Sequence, residues 1–255
     1  ITKYTKTEAV TTINIPSTIE GKKVTEIGKE AFKGAKADTI VIPNTITTLS
    51  YGTFSYSTVK TMTIPNSVTS IGTGQFCDAK NLQTATINAN IDSLPNATFT
   101  GCINLTKVTL NPKIKKLDFQ AMVECNKLTD LSFLNGIEEI GRQAFMFCAS
   151  LKNVVIPGNV KIIDENAFDA NVKLDISKTR LIKFTTESSY YYVAATEITK
   201  EGTKNYNYAY EVLELVNKQR KANGIEPLTM DKKLLECAMT RAVELSVSFN
   251  HNRSI

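Results

Sequence analysis

One phrase recurs along the first two thirds of this chain and restricts its fold more than any other feature. A small or polar residue is followed by an aromatic one, or once by Met. The pairs are Ala31-Phe32, Thr53-Phe54, Gln75-Phe76, Thr98-Phe99, Ala121-Met122, Ala144-Phe145 and Ala167-Phe168. Successive pairs are 22 or 23 residues apart. Four places before each pair stands an apolar residue in the same phase: Ile27, Leu49, Ile71, Leu94, Leu117, Ile140 and Ile163. A period this strict marks a stack of coils, each packed only on its neighbours, rather than a compact single-core domain.

The rest of each repeat has a shared grammar. In Leu105-Thr106-Lys107-Val108-Thr109-Leu110, residues 105, 108 and 110 point inward and Thr109 points out. The same frame gives Leu82, Ala85 and Ile87; Leu128, Leu131 and Phe133; and Leu151, Val154 and Ile156. Period two over the last three positions reads as a β-strand. Pro16, Pro43, Pro65 and Pro157 stop the strand, because Pro has no N–H to give a ladder. A further inward position follows at Ile46, Val68, Ile91, Ile114, Ile137 and Val160. Residues 1–30 form a modified first coil, with Val10–Asn14 extended and a turn at Gly21-Lys22-Lys23.

Cys102, Cys125 and Cys148 keep the repeat spacing and so form one line up the stack. They read as a ladder of small buried thiols. Parallel Cβ vectors suit a disulfide poorly, and five cysteines in all argue against a disulfide framework. No metal site and no cofactor are implied. The formal charge of +5 is interspersed, so no nucleic-acid footprint exists, and Lys113-Ile114-Lys115-Lys116 reads as a solvated turn. No apolar run is long enough to span a membrane. Gly-x-Ser-x-Gly, a phosphate loop, paired His and Cys-x-x-Cys are all missing, and the chain is read as not an enzyme.

The phrase Ile-Pro-x-x-Val-x-x-Ile-Gly-x-x-Ala-Phe-x-x-Cys-x-x-Leu resembles the BspA-like, or Treponema-type, leucine-rich repeat. Val155-Ile156-Pro157 through Ala167-Phe168 and Ile140-Gly141 through Leu151 carry the likeness over about residues 10–176. The resemblance implies an α/β leucine-rich-repeat solenoid, strand-rich, with one parallel strand per coil and turns or short helices elsewhere. It also implies a secreted or surface-attached, non-enzymatic protein that binds a host or bacterial surface protein or a glycan. Met122, Asn88, Asn111 and Leu134-Asn135-Gly136 depart from the pattern and are expected to change turns only. The outward strand positions Val41, Thr63, Thr86, Thr109, Ser132 and Val155 form a row across the strand face, flanked by Lys60, Lys107 and Lys152. This row is the candidate docking surface. It holds no Trp, Tyr or Arg, the residues enriched in hot spots.

Residues 177–205 read as a capping segment and linker, with Tyr190-Tyr191-Tyr192-Val193 as a strand over the last coil or, alternatively, a tyrosine-rich contact surface. From Tyr206 the apolar period becomes helical, giving an α-helical C-terminal segment over 206–255. Ala209, Val212, Leu213 and Val216 line a first helix ended by Gly224. Leu234, Leu235, Ala238, Ala242, Leu245 and Phe249 line a second. Leu213–Arg220, Gly224–Asp231 and Arg241–Arg253 resemble the opening of a CAP domain, also called SCP or cysteine-rich secretory/pathogenesis-related. By that resemblance His251, the only histidine, is a latent residue of the CAP cavity. An alternative function follows: the repeats are the targeting arm of a secreted effector whose active cavity lies beyond this chain.

Overall fold

A computed structural model describes residues 1–5, 8–179, 182–185, 190–193, 216–218, 220–224 and 226. The chain divides into two units, Ile1–Tyr192 and Val193–Ile255. The first is a parallel-strand solenoid. Val10–Asn14, Ala37–Val41, Thr61–Ile64, Thr84–Ile87 and Lys107–Leu110 pair in that order as a five-stranded parallel sheet. Alternation puts Ile13, Ile40, Met62, Ala85 and Val108 inside, all buried. Two-residue strands ending in Ile27, Leu49 and Ile71 form a second ladder. Ser93–Leu94, Lys116–Leu117, Glu139–Ile140, Ile162–Asp164, Ile182–Thr185 and Tyr190–Val193 form a third, with the tyrosine-rich strand last in the order. At the other end Thr18–Ile19 pairs antiparallel with Lys22–Lys23. Its two-residue turn, Glu20-Gly21, has positive φ at both positions, as a tight hairpin needs.

The Ala-Phe phrase is a corner. Around it the backbone enters the left-handed region twice per coil, four residues apart: Glu30 and Gly34, Gly52 and Tyr56, Gly74 and Asp78, Ala97 and Gly101, Gln120 and Glu124, Gln143 and Phe147. The aromatic lies midway. This alternation aims every second N–H along the stack. Phe54 N–H donates to Gln75 O at 3.0 Å, Gly52 to Thr73 O at 2.9 Å and Tyr56 to Cys77 O at 2.8 Å. Inside, the rings stack from Tyr4 through Phe32, Phe54 and Phe76 to Phe99, with centroids 5.3–5.9 Å apart. The glycine of the Ile-Gly step is required by the preceding coil's approach. A Cβ on Gly141 would lie 2.5 Å from Leu117 O.

The coil of Met122 departs from its neighbours, and further than a changed turn. Ser132–Gly136 is a 3-10 helix, not a strand. Asp130 explains the switch: its carboxylate accepts the Ser132 N–H at 2.9 Å, a local bond that competes with a strand ladder. Asn135-Gly136 then disfavours extended chain. Leu131 is consequently half-buried rather than inward, and Leu134 is fully buried in its stead. Phe133 turns inward and stacks on Phe145 at 6.4 Å. The row Val41–Val155 is therefore broken at Ser132. The five-stranded sheet ends at Lys107–Leu110, and Asn153–Val155 pairs only with Lys173–Asp175. A smaller correction concerns Ile91, which is half-buried while Ala89 is buried. Other coils fold back after the strand through a bond such as Val68 N–H to Pro65 O, at 3.2 Å. The Asn88 coil has no such bond; there Asn90 N–H donates to Val68 O in the coil before, at 2.8 Å.

In the second unit, residues 216–218 and 220–222 are helical, and Gly224 follows at φ 68°. The linker at 199–205, the second helix, Cys237 and His251 lie outside the described residues.

Candidate binding face

The strand face carries two outward rows. Register aligns Asn14 with Val41, and Thr63 with Thr86 and Thr109. Two residues earlier, Thr12, Thr39, Thr61, Thr84 and Lys107 align as well. This second row was legible from the same period-two argument, applied one step further back along each strand. Seven of these ten side chains are threonines. The hydroxyls of Thr39 and Thr61 lie 3.1 Å apart. A shallow groove of about 490 Å³ crosses the rows, lined by Thr39, Val41, Thr61 and Thr63 and closed by Asn44, Asn66 and Asn88. Val41 is 47% exposed. Asn111 Nδ2 donates to Asn88 O at 2.9 Å, fixing the next coil's amide along the groove's line. Lys60 pairs with Asp38 at 3.0 Å beside the rows. Ser132 is exposed but off the sheet, and Val155 is exposed on the separate two-stranded sheet.

The groove offers hydroxyls and amides, which both donate and accept, and little formal charge. Such a surface recognises shape and polar groups. It contains no titratable pair to move a proton.

The thiols are internal. Cys102, Cys125 and Cys148 are buried, and each donates to a carbonyl of an earlier coil: Phe76 O at 3.1 Å, Phe99 O at 3.3 Å and Met122 O at 3.1 Å. Burial holds the thiols of Cys102 and Cys125 well above the usual range and pushes Cys148 up to about 12. Such thiols are neither nucleophiles nor ready metal ligands. Cys77 is half-buried, and burial followed by the charge of Asp78 raises it too.

The profile of the BspA type leucine rich repeat region matches residues 3–123 and 75–199, in six copies. The chain belongs to this family. Its solenoid resembles a leucine-rich repeat protein from Eubacterium ventriosum ATCC 27560, with 26% identity, a TM-score of 0.57, and coverage of 68% of this chain and 45% of that one. A leucine-rich repeat protein from Bacteroides ovatus ATCC 8483 aligns at 21% identity, TM-score 0.47, over 69% of this chain and 60% of that chain. A leucine rich cell surface protein from Faecalibacterium prausnitzii A2-165 aligns at 17% identity, TM-score 0.36, over 68% and 84%. The chain thus spans about half the length of the first of these relatives. No curated protein matches the sequence. The family match ends at residue 199. No helix among the described residues is long and apolar enough to cross a membrane.

Proposed function

We propose that this BspA-type chain is a non-enzymatic binding module of an extracellular or cell-surface protein, and that it meets its partner through the strand face. The partner is a surface protein or a glycan of a host or bacterial cell. One observation carries the reading: two registered, outward rows of uncharged hydroxyls meet an amide-rimmed groove of about 490 Å³. The proposed contact residues are Val41, Thr63, Thr86 and Thr109, joined by Thr39 and Thr61, with Val155 on the separate sheet. The test places two carboxylates in the row, Thr86→Glu with Thr109→Glu, and measures adhesion of the chain to immobilised matrix proteins and surface glycans. Adhesion is expected to fall; adhesion equal to the parent chain's would rule the strand face out.

A second reading concerns residues 200–255, which the repeat match leaves uncovered. The Leu213–Arg220 and Gly224–Asp231 stretches are those that resemble a CAP opening, and the Arg220 Nε–H donates to Glu226 O at 2.8 Å across the turn between them. On this reading the coils target a CAP-domain effector, with His251 as a latent cavity residue. Sequencing the natural gene past Ile255 tests it. A second His and a Gly-Glu-Asn-like motif are required, and their absence ends the idea.

A further inference from the structure

Every exposed aromatic side chain among the described residues lies on the corner, and none on the strand face. Tyr51, Tyr56, Phe119 and Phe147 are 51%, 54%, 41% and 59% exposed. They occupy two columns that run from coil to coil on either side of the Ala-Phe pair. In the first column Tyr51 follows Lys29, whose ammonium sits 5.5 Å from the ring centroid. Its ring edge rests over Gly74, where a Cβ would be 3.9 Å from Cε2. In the second column Tyr56 follows Gly34, and the ammonium of the adjacent Lys33 sits 5.6 Å from the Tyr56 ring centroid. Asp78 in the next coil raises the Tyr56 hydroxyl's pKa, and it packs over Gly101, where a Cβ would come within 2.7 Å of its carboxylate. Tyr56 itself holds φ 58°, a conformation that bulky residues rarely adopt. Both rings thus face outward, Tyr56 on left-handed backbone, and each has a neighbour in the coil before it and the coil after it.

We infer that Tyr51 and Tyr56, with Lys29, Glu30, Lys33 and Asp78 around them, form a glycan-binding platform for a neutral pyranose chain, distinct from the strand face. Three observations select this occupant. Two rings, each about half exposed, offer on the order of 150–250 Å² of aromatic surface, well below the roughly 800 Å² per partner of a stable protein interface. The residues between and beside them, Gly52, Thr53, Ser55 and Ser57, are buried and add no apolar surface. Charge decides between a neutral and an anionic sugar. Two lysines face two carboxylates, and Lys33 already pairs with Glu30 at 2.9 Å. The platform is therefore electrically balanced. A pyranose presents an apolar C–H face to a ring and hydroxyls at its rim, and this patch offers ring faces bordered by donors and acceptors. An exposed cation–π contact is worth only about 0.5–1 kcal/mol, so the sugar displaces each ammonium sideways, where it donates to a hydroxyl.

The test titrates the full 255-residue chain with cellohexaose, laminarihexaose and chitohexaose, by calorimetry and by tyrosine fluorescence, which no Trp obscures. Saturable binding to at least one of them is expected, nearly independent of salt. Tyr51→Ala combined with Tyr56→Asn, the latter chosen because Asn tolerates left-handed backbone, should weaken it about tenfold or more. Tyr51→Phe should stay within about twofold, because the platform and not the hydroxyl carries the contact. Thr86→Glu with Thr109→Glu should leave it unchanged, which separates this platform from the strand-face proposal. The inference is overturned if none of the three sugars saturates, if the Tyr51→Ala/Tyr56→Asn chain keeps its affinity at an unaltered melting temperature, or if affinity collapses with salt, which would mark an anionic ligand. Capture of a protein through these tyrosines with no sugar bound would also overturn it.

Discussion

The corner and the strand face are built from the same coils, yet they respond differently to an aberrant repeat. At the corner, Phe32, Phe54, Phe76, Phe99, Met122 and Phe145 each donate an N–H to the following coil, and the series runs without a gap to Ala167 O. Replacing Phe by Met at 122 leaves the bond in place, with Met122 N–H to Ala144 O at 2.9 Å. On the strand face a single coil with Asp130 and Asn135-Gly136 removes the strand and splits the sheet. The corner's continuity resides in paired left-handed residues whose backbone bonds do not depend on the side chain of the residue between them. The strand's continuity depends on extended chain, which a local side-chain bond can outcompete. The difference teaches that the corner holds the stack together, while the strand face is the edge on which the coils can vary.

The largest test of that contrast is Phe76→Ala. Phe76 is fully buried and stacked on both Phe54 and Phe99, at 5.7 and 5.4 Å. Its loss should cost about 3–5 kcal/mol, read by urea denaturation. A cost under about 1 kcal/mol would mean that the corner is not the spine of the fold. Next comes Gly141→Ala. The added methyl meets the Leu117 carbonyl, so about 1–3 kcal/mol should be lost as the two coils shift apart.

Alkali gives a third test, on the thiol ladder beside the corner. The folded pKa values are raised, so the native state keeps its thiol protons when the unfolded chain has lost them. The stabilisation is complete below the unfolded value, near 9, and is lost as pH rises from there through about 12 for Cys148. Stability should decline by up to about 1.4 kcal/mol per pH unit for each such thiol. Cys125→Ala should make the alkaline decline shallower. In the native chain, peptide-resolved alkylation should reach Cys77 and spare Cys102, Cys125 and Cys148 until unfolding; labelling of the three at the rate of Cys77 would contradict their placement. The smallest effect belongs to the exposed rim. Lys116 and Glu139 pair at 2.8 Å on partly exposed surface. Glu139→Gln should move stability by less than about 0.5 kcal/mol, and high salt should erase even that.

Much of this architecture was legible in the chain. Ile27 to Ile163 and the seven corner pairs are buried or nearly so because a fixed period places them at one point of every coil. Ser132 was misplaced because the repeat frame was carried across Asp130, whose side chain bonds locally. Ile91 was misplaced because Asn88 lacks the neighbouring coils' fold-back. The row of Thr39, Thr61 and Thr84 could have been read from alternation alone. The outward display of Tyr51 and Tyr56 could not. For Tyr56 it follows from left-handed backbone at a non-glycine position, which residue identity does not announce.

By itself the sequence determined the period, the inward residues and the buried thiol line, since periodicity and hydrophobicity act at each coil alone. Only the tertiary structure decided where the sheet breaks, which rows share a groove and which aromatics face outward. Those outcomes depend on hydrogen bonds between one coil and the next, and no single repeat contains both partners.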